Sequence, residues 1–117
     1  MSASTFFQGR PAFEQLKSES AKIILVEVSA PHCSSCDTLR PILHQLATEQ
    51  NGNFDLVEID MTEEPDLAID LGIRSVPTVV LFKGDRLLEK IVGLKPKKLY
   101  VETIQKWVHQ TYHAELE

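Results

Sequence analysis

The stretch ILVEVSAPHCSSCDTLRPIL, residues 24–43, holds both cysteines of the chain, and its reading decides the fold. Its start belongs to KIILVEVS (22–29), a β-branched run that from Ile23 to Val28 is apolar except for Glu27, as in a strand covered on both faces. Pro31 stops that strand. From about Ser34 to Gln50 the apolar residues Leu39, Ile42, Leu43, Leu46 and Ala47 recur at helical spacing, and Pro41 inside the pattern predicts a kink. Cys33 therefore stands where a buried strand passes into a long helix. The unpaired N–H groups and the dipole at a helix N-terminus favour an anion, so a thiolate at Cys33 is stabilised and becomes the better nucleophile. Cys36 lies three residues on, on the same helical face and within reach of a mixed disulfide formed at Cys33.

Three readings of the pair compete. As a staple it closes a minimal loop, whose entropy in the unfolded chain is small, so the stabilisation is small too. As a metal site, His32, Cys33 and Cys36 supply three ligands where tetrahedral zinc wants four, and the sequence has no second C-x-x-C; no metal is expected. A reactive dithiol is the favoured reading; a zinc shared between two copies of the chain and a pair of small buried residues without chemistry are the alternatives.

Outward from this segment the pattern is regular. Thr5-Phe6-Phe7-Gln8 reads as a short strand ended by Gly9 and Pro11, and Ala12 to Ser20 as a short helix carrying Phe13 and Leu16. After the helix from Ser34, the NGN at 51–53 is a break and FDLVEID (54–60) another strand. EPDLAIDLG (64–72) reads as a short helix with Pro65 in its first turn and Gly72 as its stop. PTVVLFK, GD and RLLEKIV (77–92) form a hairpin. From Pro96 a final amphipathic helix carries Leu99, Ile104, Trp107 and Val108. The order β-α-β-α-β-α-β-β-α predicts a single α/β domain over 1–117, with a central mixed sheet and helices on both faces.

The 117 residues can bury a real core without cross-links. A formal charge of -5 and a pI near 5.3 argue against nucleic acid or an anionic membrane as partner. The longest apolar run, Ile23-Ile24-Leu25-Val26, is far too short to span a bilayer. No basic segment followed by an apolar one opens the chain, so no secretory signal is visible and a cytoplasmic monomer is expected. In that compartment a lone disulfide does not normally persist as a staple.

At ILVEVSAPHCSSCDTLRPIL, at GIRSVPTVVLFKGD (72–85) and at VGLKPKKL (92–99) the chain resembles the thioredoxin family, in one register over about residues 5–110. The resemblance implies a thioredoxin fold and a thiol–disulfide oxidoreductase cycling Cys33 and Cys36 between dithiol and disulfide. Cys33 would be the exposed nucleophile and Cys36 the buried resolving thiol. Pro77 matches the family's cis-proline facing the dithiol, with Val76 offering backbone hydrogen bonds to a substrate strand, and His32 and Gly93 completing the substrate site. Glu27 stands where the family places a buried acid that passes protons to and from Cys36. No bound cofactor is required; the substrates would be protein disulfides and the electron donor a thioredoxin reductase, flavin- or ferredoxin-dependent. The rival is an adaptor or holdase whose groove beside Pro77 binds partners without redox turnover.

The departures are informative. His32-Cys33-Ser34-Ser35-Cys36 replaces the family's usual Trp-Cys-Gly-Pro-Cys, Glu27 replaces an aspartate, and Ser29 replaces a supporting tryptophan. Asp37 and Glu58 stand at or near positions usually held by lysine. The serine hydroxyls and the N–H restored at Ser35 are added donors to a Cys33 thiolate, while Asp37 and Glu58 oppose it from farther out. Donors in contact outweigh screened charges, so the expected potential lies between about -250 and -200 mV. For Glu27, the flanking Val26 and Val28 favour partial burial over a solvent-facing edge position. His32 is read either as an exposed loop residue or as a titrating neighbour that favours the thiolate when charged.

Overall fold

The strand Ile23–Ser29 is the middle of the molecule. In the computed structural model, which describes residues 6–116 and side chains up to residue 109, its first six residues are all buried. The described chain runs β1 (Phe6–Gln8), α1 (Gly9–Glu19), β2 (Ile23–Ser29), α2 (Ser34–Glu49), β3 (Phe54–Asp60), α3 (Pro65–Asp70), β4 (Thr78–Lys83), β5 (Arg86–Val92) and α4 (Lys97–Leu116). Thr5, expected to open the first strand, lies outside the described residues.

The strand order is β1-β3-β2-β4-β5. β3 runs parallel to both β1 and β2, and β4 and β5 are antiparallel additions, which makes the sheet mixed as expected. A strand's side chains alternate between faces. Ile23 and Leu25 of β2 pack with Leu39, Leu43 and Leu46 of α2 and with Tyr100 and Ile104 of α4. Ile24, Val26 and Val28 point the other way, toward Phe13 of α1 and Leu67 of α3. Both faces of the central strand are therefore covered, which is why its sequence is a continuous apolar run rather than an alternation.

The structure departs from the sequence reading at the start of α1 and in the buried face of α4, and it adds an irregularity to the hairpin. α1 begins at Gly9, not at Ala12, because Pro11 falls in the first turn, where its missing N–H has no partner to lose. The Gln8 side chain makes no cap there; instead the Arg10 N–H donates to the Glu64 carboxylate at 2.8 Å, an anion brought to the helix start from a distant loop. Among the described side chains of α4, Tyr100, Thr103 and Ile104 are buried and Trp107 and Val108 half-buried, while Leu99 is exposed. At about 100° per residue, positions 100, 104, 107 and 108 form one stripe, and Leu99 lies about 100° from Tyr100, off the side that packs on the sheet. The hairpin turns at Gly84–Asp85 as expected, with a register shift between Leu81 and Phe82 that leaves Leu88 without an opposite residue.

Candidate active site

The chain leaves β2 through Pro31 and His32 and enters α2 at Ser34. His32 is exposed and adopts a left-handed backbone at φ 60°, an uncommon conformation that a histidine tolerates better than most residues. It swings the chain so that Cys33 becomes the N-cap of α2, in an extended conformation. The Cys36 N–H donates to the Cys33 sulfur at 3.2 Å, and the Ser35 hydroxyl lies 3.7 Å from the same sulfur. Cys33 and Cys36 are joined in a disulfide with their Cα atoms 5.2 Å apart. The two sulfurs are not equivalent, because Cys33 is half-buried and Cys36 is 0% exposed. Cys36 opens the stripe of α2, continued by Leu39, Leu43 and Leu46, that faces the sheet.

The proline segment lies at the same end of the sheet. Val28 pairs with Thr78, so Pro77, one residue before β4, sits beside the end of β2 from which the dithiol loop departs. The Val76–Pro77 bond is cis, Pro77 is buried and Val76 half-buried. Gly93 donates its N–H to the Pro77 carbonyl at 2.8 Å, and its own carbonyl accepts from the Tyr100 hydroxyl at 3.3 Å. Its φ of 87° is one that a Cβ would oppose, so a glycine is what lets β5 end against the proline. The structure thus brings Cys33, Cys36, His32, Val76, Pro77 and Gly93 to one end of the sheet.

Glu27 is a buried acid within the central strand. It is 1% exposed, and neither carboxylate oxygen has a hydrogen-bond partner among the described residues. It lies on the α2 side of the sheet, in step with Ile23 and Leu25. Burial pushes its pKa up to about 7, with the negative charge of Glu58 adding to the rise and the Arg40 guanidinium opposing it.

Two residues of this neighbourhood escaped the sequence reading. Arg40 and His44, one turn apart on α2, both reach Glu58, with Arg40 Nε at 3.5 Å and His44 Nε2 at 3.0 Å from a carboxylate oxygen. Arg40 also pairs with Asp37 at 3.2 Å. Asp37 and Glu58, expected as negative charges near the site, thus share one guanidinium. The signal was the parity of FDLVEID: Phe54 and Leu56 are buried on the α2 side, so Glu58 must lie on that side as well.

An acid whose folded-state pKa is raised holds its proton longer when folded than when unfolded. Glu27 favours the folded state fully below its ordinary 4.5, and that contribution is lost as pH rises through about 7. The whole difference is about 3 kcal/mol. Glu27→Gln should therefore stabilise the oxidised protein toward urea by up to about 3 kcal/mol near pH 8 and change little near pH 4. An equal effect at both pH values would mean that Glu27 ionises as freely in the folded state as in the unfolded one.

Comparison with known proteins agrees with this geometry. A family model described as Thioredoxin matches residues 5–106. The M-type chloroplastic thioredoxin of Chlamydomonas reinhardtii is 34% identical over 97 residues, covering 83% of this chain and 69% of that protein. An NADPH-dependent thioredoxin reductase of Arabidopsis thaliana is 40% identical over 101 residues, covering 86% of this chain but only 19% of that much longer protein. Among solved structures, a mutant thioredoxin from Halobacterium salinarum superposes with a TM-score of 0.80 at 28% identity, covering 92% of this chain and 96% of that one. With its cysteines three positions apart and within disulfide distance at the start of α2, the chain belongs to the thioredoxin family and is a thiol–disulfide oxidoreductase.

Proposed function

We propose that the chain reduces protein disulfides, with Cys33 as the attacking thiolate, Cys36 as the resolving thiol and Glu27 as the group that holds the exchanged proton. The observation that carries this reading is the asymmetry of the pair: one sulfur is reachable at a helix N-cap, the other sealed against the sheet. The Cys33 thiolate attacks one sulfur of the substrate disulfide and expels the other as a thiolate, leaving a mixed disulfide. The Cys36 thiol then gives its proton to the Glu27 carboxylate and attacks Cys33, and the second substrate sulfur departs with the electron pair of the broken bond. Two electrons have passed to the substrate. Because Glu27 titrates near neutral pH, both its forms are available to take up and return that proton.

Val76, Pro77 and Gly93 form the platform for the substrate strand in this reading, and exposed His32 borders it. A thioredoxin reductase regenerates the dithiol; the resemblance to one segment of a reductase that uses NADPH supports a donor of that class. The chain acts as a monomer in the cytoplasm, where a lone cysteine pair works as chemistry rather than as a staple. Its charge of -5 directs it away from nucleic acids and anionic membranes. No helix among the described residues is long and apolar enough to cross a membrane.

Reduction of a protein disulfide by this chain, with dithiothreitol as the terminal reductant, tests the reading. Changing both Cys33→Ser and Cys36→Ser should drop the rate to that of dithiothreitol alone; a double variant that keeps its full effect would make the chain an adaptor. The potential is expected between about -250 and -200 mV, since Ser35 and the Cys36 N–H both lie at the Cys33 sulfur while Asp37 and Glu58 are paired with Arg40. Equilibration with a glutathione buffer measures it, and Ser35→Pro should move it in the negative direction. A value at or below about -270 mV would contradict the donor argument.

A further inference from the structure

Glu27 and Glu58 are direct partners in the parallel ladder of β2 and β3. Paired positions on neighbouring strands are about 4.8 Å apart and share a face of the sheet. Their surroundings differ sharply. Glu27 is sealed and unpartnered, whereas the Glu58 side chain keeps 17% of its exposure and lines a cleft shared with Ser29, Arg40 and Asp60. Glu58 is held from α2 by Arg40 and His44, and the His44 ring stacks on Phe6 of β1 at 4.7 Å. The groups that face Glu27 are Glu58 from β3, Arg40 from α2 with His44 behind it, Tyr100 from α4 and apolar Val79 from β4. Cys36 stands on the buried stripe of α2. The Tyr100 phenol is already engaged by the Lys95 N–H and the Gly93 carbonyl.

A carboxylate placed beside a second, buried carboxyl raises that group's hold on its proton, and a cation on the far side of the pair lowers it. Here the two opposing charges sit on separate elements and can be removed one at a time.

We propose that Glu58 is a positioning residue for thiol exchange: its charge, restrained by Arg40 and His44, sets the pH at which Glu27 accepts the proton of Cys36 and releases it to solvent. The inference rests on the reading of Glu27 as that acceptor. In the step concerned, the Cys36 S–H proton passes to a Glu27 oxygen, and the sulfur's electron pair forms the bond to Cys33. The bond from Cys33 to the substrate breaks, its electrons leaving with the substrate sulfur. Glu58 takes no part in the bond changes. Its negative charge makes the transfer to Glu27 more favourable and the later loss of that proton less so.

The test is the carboxyl titration of Glu27, followed by carbon NMR, together with the pH profile of mixed-disulfide resolution in the wild type, Glu58→Gln and Arg40→Gln. Glu58→Gln should move the Glu27 midpoint and the pH profile downward, and Arg40→Gln should move both upward, each by up to about one pH unit. The double variant should return close to the wild type, a cancellation that a merely structural role would not produce. Midpoints that stay in place, or that move in the same direction in both single variants, would overturn the inference. Glu27→Gln separates the two levels. If it slows resolution at neutral pH while the Glu58 and Arg40 variants leave the profile unmoved, only the role of Glu58 fails. If it leaves resolution at the wild-type rate, the acceptor reading fails and the inference falls with it.

Discussion

A strand buried on both faces that passes through four residues into the N-terminus of a helix is the constraint on which this protein depends. β2 is paired along most of its length with β3 on one side and β4 on the other, so its end has little freedom. α2 is fixed in turn by the stripe Cys36, Leu39, Leu43 and Leu46 pressed onto the sheet. The left-handed His32 backbone joins two rigid bodies, and Cys33 has nowhere to sit but the N-cap. The helix then leaves unpaired N–H groups at that sulfur, which is the environment a thiolate needs. The same packing that stabilises the fold makes one cysteine reachable and hides the other.

The second feature works against stability. A carboxyl with no hydrogen-bond partner among the described residues, buried beneath α2, is costly when ionised, and its ionisation is displaced toward neutral pH as a result. A protein selected for stability alone would place a leucine or valine at that point of β2. Keeping Glu27 there is understandable if a proton must be held inside the sheet during exchange, and the ladder pairing of Glu27 with Glu58 extends that chemistry to the surface.

Most of the fold was legible because the two hydrophobic periods are clean. The continuous apolar run of β2, the helical spacing from Leu39 to Ala47 and the hairpin around Gly84–Asp85 each point to one structure. What the sequence left out were matters of partner rather than of period. The start of α1 is capped by Glu64, more than fifty residues away, and no local pattern reports that bond. Tyr100 replaces Leu99 in the core because packing on the sheet, not the helix period, selects which of two neighbouring large residues faces inward. At the site, the two cysteines, the proline segment and Gly93 were readable from their motifs. Arg40 and His44 were not, since each is an ordinary polar residue on a helix until the sheet brings Glu58 beneath them.

The central claim is that the two cysteines differ in kind, one attacking and one resolving, and it can be read in a single covalent product. A Cys36→Ser variant, reduced and mixed with a protein disulfide, should accumulate a stable mixed disulfide whose mapped cross-link runs through residue 33, while Cys33→Ser under the same conditions should give almost none. Equal yields from the two variants would contradict the account, since they would show that burial of Cys36 and the N-cap position of Cys33 do not decide which sulfur reacts.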